Sequence, residues 1–209
     1  MTVSMNDLDP HLREVAKPAL AAVRSGKSVL LKGTPGSGKT MIARRLAGAL
    51  KVPVPGKQSH LVQVIWKMSG LTAPALLQRP FRAPHHTCSI SGLVGSGKLM
   101  RPGELSLAHM GTLFLDELPE FSRAALEAVS WSYKHKQVRF AGSDLYLVGL
   151  PADFILVGAT NQCPCGWTGT SRKCECSQVA IDRYHARYSM LEFDLEVDIP
   201  PLDSKTPKR

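Results

Sequence analysis

Gly33-Thr34-Pro35-Gly36-Ser37-Gly38-Lys39-Thr40 is a G-x-x-x-x-G-K-[ST] run, and each residue type in it suits phosphate chemistry. The glycines let successive backbone N–H groups turn inward into an anion nest that side chains would obstruct. The Lys39 ammonium is placed to neutralise β/γ-phosphate charge, and the Thr40 hydroxyl is a ligand for Mg²⁺. A Gly-rich turn that happens to end in Lys-Thr is the plain alternative. The setting favours the chemistry: Val29-Leu30-Leu31 has the length of a buried strand, and Lys39 to Leu46 is a good helix-forming sequence. Such a helix aims its positive dipole end at the phosphates.

Two carboxylates belong to the same chemistry. Gly111 to Glu117 is a short apolar run that delivers Asp116 and Glu117 at its end, as a buried parallel strand does at a ligand site. Asp116 would hold the Mg²⁺ through its water shell, and Glu117 would act as general base on the attacking water. A strand that merely ends in acidic turn residues is the alternative. Phe154 to Thr160 is a third buried run, and Asn161 at its end is placed to sense the γ-phosphate or hold the lytic water. Cys163 and Cys165, then eight residues, then Cys174 and Cys176 have the count of a Cys₄ zinc site. Their C-x-C spacing is tighter than that of most structural zinc sites, so reduced structural thiols are the competing reading. A second run, Gly92 to Lys98, also spells G-x-x-x-x-G-K, but Leu99 replaces the Mg²⁺ ligand and no strand precedes it. It reads as a decoy.

The elements that must position these residues follow the same grammar. Met1 to Pro10 reads as a flexible terminus, 11–202 as one nucleotide-binding core, and 203–209 as a polar basic tail. His11 to Arg24 carries helical apolar spacing, with Pro18 expected to bend or restart it. Ser59 to Met68, Ser122 to His135 (capped by Ser122) and Gln178 to Tyr188 read as further helices. Gln78 to Arg101 reads as a long loop or irregular hairpin. Val138-Arg139-Phe140 and Leu145 to Val148 alternate like a β-hairpin, and Phe193 to Ile199 reads as the last strand. The predicted fold is a three-layer α/β P-loop domain with a central, mostly parallel sheet and β-hairpin inserts.

With 209 residues and 44% hydrophobic content, the chain is large enough for a full core. Its net charge of +9 suits a polyanionic partner, most plausibly nucleic acid, or else a solvated basic surface. The polar N-terminus carries no signal-peptide pattern, and no apolar run approaches the length of a membrane span. Five cysteines in a P-loop protein read as cytosolic thiols or metal ligands, and the expected setting is the cytoplasm.

Gly33–Thr40, RPFRAPHHT (Arg79–Thr87), RPGELSLAHMGTLFLDELPEFSR (Arg101–Arg123) and NQCPCG (Asn161–Gly166) together resemble the AAA+ ATPases of the magnesium-chelatase type. Within them the chain is most similar to the chelatase-like bacterial group that includes a competence-associated branch-migration helicase. The resemblance covers about Val15 to Pro201. It implies ATP and Mg²⁺ as ligands, with Lys39 and Thr40 on phosphate and metal, Asp116 and Glu117 as the Walker-B pair, and Asn161 as sensor 1. It also implies a hexameric ring with hairpins facing the pore: Thr87 to Arg101 as a helix-2 insertion and Val138 to Val148 before sensor 1. In helicase-like relatives such hairpins touch DNA, and here Lys98, Arg101, Lys134, Lys136 and Arg139 are the basic residues available.

The departures from that pattern bear on turnover. Relatives carry a Lon-like N-terminal domain and a C-terminal helical lid with a sensor-2 arginine, and this chain is expected to lack both. Arg187-Tyr188-Ser189 runs straight to Met190-Leu191-Glu192-Phe193-Asp194, without the Gly-Pro turn of relatives, and Glu192 stands where their trans arginine finger is expected. A finger is worth about three to five orders of magnitude in turnover. Arg183 or Arg187 is available to substitute. The sequence therefore supports an ATPase that turns over slowly, as a homo-hexamer or docked on a longer paralogue that donates its arginine. The alternatives are a non-hydrolysing ATP-binding module and, more distantly, a chelatase subunit.

Overall fold

The computed structural model describes residues 9–50, 54–74, 78–97, 101–141, 147–168, 170 and 172–201. The inner strands of the sheet at its centre come from runs that the sequence marks as continuously apolar. β1 (Val29–Gly33), β2 (Phe81–Arg82), β5 (Thr112–Leu115), β8 (Ile155–Thr160) and β9 (Leu195–Ile199) align in the order β2-β5-β8-β1-β9, every pair parallel. The inner strands β1, β5 and β8 are covered on both faces and lack polar alternation, whereas the edge strand β9 alternates buried Val197 and Ile199 with exposed Glu196 and Asp198.

Alternate residues feed two separate cores. Leu30, Leu113, Leu115 and Leu156 face one side, where they meet Leu126 and Val129 of α6 (Arg123–His135) and Leu105 of the short α5 (Glu104–Leu107). Val29, Leu31, Phe114, Val157, Ala159 and Val197 face the other, against α1 (Pro10–Arg24) and Ile42 and Leu46 of α2 (Lys39–Gly48). The result is the three-layer α/β arrangement that the sequence predicts.

Local differences have identifiable causes. α1 starts at Pro10, one residue early, because Pro suits a first helical turn and Asp9 caps it by accepting from the His11 N–H at 2.9 Å. Pro18 does not restart α1 as a second helix. The helix runs through it, with Ala16, Ala19, Ala22 and Val23 anchoring both halves in one core. α3 (Gly56–Met68) begins earlier than Ser59, and its buried positions are Ser59, Val62 and Ile65. Val64 and Met68, although apolar, are 53% and 41% exposed.

The segment read as a long loop or irregular hairpin contains a helix as well as a short hairpin. It holds β2, then the helix α4 (Ile90–Val94), whose Gly95 and Ser96 (β3) pair antiparallel with Arg101 and Pro102 (β4). The apparent second phosphate motif therefore opens on a helix and runs into a hairpin, the reverse of strand–loop–helix; its Lys98 lies outside the described residues. β6 (Gln137–Ala141) and β7 (Leu147–Pro151) form the second antiparallel hairpin, which begins one residue earlier and ends three residues later than expected, with its turn outside the described residues. α7 (Gln178–Ala186) is capped by Ser177 and ends two residues short of Tyr188. The 203–209 tail also lies outside the described residues.

Candidate nucleotide site

Strand order assembles the site. β8 lies between β1 and β5, so the residues that follow these three strands become neighbours although they are about 120 positions apart in the chain at most. The loop after β1, Asp116 and Glu117 after β5, and Asn161 after β8 all emerge at the carboxyl edge of the sheet. They line one cleft of about 440 Å³, together with Gly36, Lys39 and Thr40. Ligands bind at this edge in open parallel sheets.

The loop has the conformation its glycines permit. Gly36 and Gly38 have φ of 77° and 90°, and Gly38 is the N-cap of α2, so a side chain at either position would be strained. Lys39 is buried and turned inward. Its Nζ donates to the Gly33 and Thr34 carbonyls at 2.9 Å each and to Asn161 Oδ1 at 3.2 Å. Burial pushes the Lys39 ammonium's pKa down, and the nearby Asp116 and Glu117 partly restore it. Thr40 Oγ1 donates to Asp116 Oδ2 at 2.6 Å. Ser37 Oγ is buried with no hydrogen-bond partner.

These features fit a magnesium–phosphate ligand. Thr40 and Asp116 offer two hard oxygens side by side, the donor class Mg²⁺ requires. An ammonium turned onto the carbonyls of a loop whose Gly36 and Gly38 take positive φ, at the N-terminus of α2, matches a loop that receives an anion.

Glu117 is the strained member. Its φ of 54° and ψ of 51° place a non-glycine residue in the left-handed region, where such residues cluster at functional sites. Its carboxylate is exposed and lies 3.3 Å from His86 Nδ1. His86 is a site residue that the sequence reading did not single out, although it lies within RPFRAPHHT. That block runs beside β5: Arg79 Nη1 donates to the Met110 carbonyl at 2.8 Å, Phe81 stacks on Phe114, and Arg82 makes a two-pronged pair with Glu104 at 2.6 and 2.5 Å. His86 is thereby delivered to Glu117 and packs edge-on against Phe121. The only signal available in sequence was the density of Arg, Pro and His, which carries no register.

The four cysteines converge. Cys163 Sγ lies 3.4 Å from Cys165 and 3.7 Å from Cys174, Cys165 lies 3.5 Å from Cys174, and all four sulfurs including Cys176 fall within 4.8 Å of one another. None is disulfide-bonded. Burial pushes the Cys163 thiol up, but hydrogen bonds involving Thr168, Cys165 and Cys174 outweigh it and bring the pKa to about 6.

The other expected residues are dispersed. Arg183 is exposed on α7, and Arg187 Nη1 lies 3.8 Å from Glu120 Oε1; neither lines the cleft of its own chain. Glu192 lies before β9, at the amino edge of the sheet, 3.9 Å from Lys134. Among the basic residues, Lys136 pairs with Asp153 at 3.3 Å, Arg139 lies over Trp131, and Arg101 is exposed on β4.

This sheet order and this cleft define a P-loop nucleoside-triphosphatase fold of the AAA+ type. NtrX from Brucella abortus, solved in complex with ATP, superposes on 92% of this chain with a TM-score of 0.55 at 18% identity, the match taking in 37% of that chain. The family described as magnesium chelatase, subunit ChlI, matches residues 9–206, and the chain belongs to it. Competence protein ComM of Haemophilus influenzae is 39% identical over 193 residues, 90% of this chain and 37% of ComM. YifB of Salmonella typhimurium is 39% identical over 181 residues, 84% of this chain and 35% of YifB. The chain thus spans about a third of the length of these relatives.

Proposed function

We propose that this chain binds Mg·ATP in the cleft at the carboxyl edge of the sheet and hydrolyses it slowly as a subunit of a ring. The observation that carries the reading is the convergence, from three separate strand ends, of Lys39, the Thr40–Asp116 pair, Glu117 and Asn161 on one cleft. Lys39 and the loop N–H groups of Gly33 to Thr40 would hold the phosphates, and Thr40 with Asp116 would hold Mg²⁺, which supplies charge neutralisation when bound. Glu117 would take the proton of the attacking water, and Asn161, already on Lys39, would register the γ-phosphate. His86 is a positioning residue for Glu117.

Assembly enters because hydrolysis in this class draws a cation from a neighbour, and both Arg183 and Arg187 lie outside the chain's own cleft. DNA is the proposed partner of the ring, supported by the +9 charge and by the kinship with a competence protein. The four cysteines would hold zinc, and unbonded thiols suit a reducing cytoplasmic setting.

The test is steady-state ATP turnover against protein concentration, with and without single- and double-stranded DNA. Turnover per chain that rises steeply with concentration is expected. Flat, near-zero turnover beside clear ATP binding would replace this reading with the non-hydrolysing module.

A further inference from the structure

The turn that carries the cysteines also forms a wall of the phosphate cleft. Asn161, which bonds Lys39, precedes Cys163 by two residues. Gly166, one residue past Cys165, packs on the phosphate loop itself. A Cβ there would lie 2.7 Å from Pro35 Cγ and 2.8 Å from Pro35 Cδ, and the glycine's φ of +75° is one that other residues rarely adopt. Between these contacts the backbone is tied down: Gly166 N–H donates to the Cys163 carbonyl at 3.0 Å, and the Gln162 carbonyl lies 3.1 Å from His185 Nε2 of α7. Cys163 is fully buried at the pivot.

The sulfur geometry has metal dimensions. Zinc–thiolate bonds of about 2.3 Å place tetrahedral sulfurs about 3.8 Å apart. The three measured separations are 3.4, 3.5 and 3.7 Å, with the fourth sulfur inside 4.8 Å of the rest. A disulfide needs about 2.05 Å. The set lies close to the spacing of a tetrathiolate.

We propose that a zinc ion held by Cys163, Cys165, Cys174 and Cys176 is a positioning element of the nucleotide site, fixing the 161–166 turn and with it Asn161 and the Pro35 side of the phosphate loop. This rests on the zinc and nucleotide readings above and adds that the two sites are coupled. Metal binding releases the remaining thiol protons and removes the freedom of the turn, so nucleotide binds to a loop that is already ordered. Coupling of this kind is reciprocal: zinc must tighten nucleotide by the same factor that nucleotide tightens zinc.

The experiment uses the full chain and a non-hydrolysable ATP analogue with Mg²⁺. Analogue affinity is measured on zinc-loaded and chelator-stripped protein, and zinc affinity is measured against a chelating dye with and without saturating analogue. Both ratios are expected at about tenfold and equal to each other. Gly166→Ala retains all four sulfurs but forces the turn off Pro35. It is expected to hold one zinc per chain and to bind the analogue about tenfold more weakly than the zinc-loaded parent. If stripping unfolds the chain, this comparison of two loaded proteins decides the matter alone. One zinc per chain with identical analogue affinity in the loaded, stripped and Gly166→Ala forms would overturn the coupling while leaving the zinc site standing. A chain that takes up no zinc would overturn the zinc reading and the coupling with it. A zinc-loaded chain that does not bind the analogue would overturn the nucleotide reading and likewise the coupling.

Discussion

At the scale of single residues, Glu117 and His86 decide what the cleft does with a bound nucleotide. Glu117 is held in a left-handed backbone conformation with its carboxylate exposed and its only described ion-pair partner His86. Glu117→Gln keeps the shape and removes the base, so it should retain nucleotide while turnover falls by about two to four orders of magnitude. Undiminished turnover would remove Glu117 from that role. His86 pairs with Glu117 and does not itself line the cleft, so His86→Ala should lower kcat by about tenfold with analogue affinity unchanged. A loss of affinity instead would place His86 in binding. Asp116 and Glu117 were legible in the sequence because a buried parallel strand is an apolar run and the site lies at its end. His86 was not, because its partner is fixed by how an irregular segment runs beside β5, and no local periodicity encodes that path.

At the scale of elements, the sheet that orders the site is fastened at its amino edge by a small polar clip. The Ser28 N–H and Oγ–H both donate to Asp194 Oδ2 at 2.7 Å, and the Asp194 N–H returns a bond to Ser28 Oγ at 3.0 Å. These bonds lie where β1 and β9 begin, and through the β1–β9 register they set Gly33 opposite Ile199. Hydrogen bonds from Ser28 hold the Asp194 pKa below the ordinary carboxylate value. A depressed carboxylate contributes stability that is present above the unfolded value of about 3.9 and lost as pH falls through the folded value. Asp194→Ala should therefore cost about 1 kcal/mol at neutral pH, a modest figure because the carboxylate is exposed, and the difference should vanish in acid. Urea unfolding of both proteins at pH 7 and near pH 3 checks this; a deficit that persists in acid would mean the clip acts by packing. The strands themselves were readable. The helices were read less well where the apolar arc is broad: in α3 Leu61, Val62, Val64, Ile65, Trp66 and Met68 span more than one face, so periodicity did not identify which stripe, Val62 and Ile65, is buried. The cysteine tetrad was visible as a count, whereas the docking of Gly166 on Pro35 depends on a tertiary contact.

At the scale of the whole molecule, stability and assembly are both tied to charge. His109 is buried; its Nδ1 accepts from the Asp153 N–H at 3.2 Å and its Nε2 lies 2.9 Å from Gln58 Oε1, which together select the neutral ring. Burial pushes its pKa down, partly opposed by Asp153. The unfolded chain therefore binds this proton more readily than the folded one, and stability should fall as pH drops below about 6.5. Urea midpoints between pH 7.5 and 5.5 should show that slope, and His109→Gln should flatten it; equal slopes would assign the acid sensitivity elsewhere. Among the described residues no helix is long and apolar enough to cross a membrane. The basic residues proposed for DNA are partly engaged within the chain, Lys134 with Glu192 and Lys136 with Asp153, so the net charge alone does not define a binding surface. Since the chain spans about a third of its relatives, every claim about rings and DNA depends first on whether this cleft takes a nucleotide. The most direct measurement is a calorimetric titration of the zinc-loaded chain and its Lys39→Ala variant with an Mg²⁺-bound, non-hydrolysable ATP analogue. One site per chain that is weakened by roughly a hundredfold in the variant and requires Mg²⁺ for full affinity is the predicted result. Equal affinity in the two proteins would contradict the assignment of the phosphate site, and with it the functional reading built on that cleft.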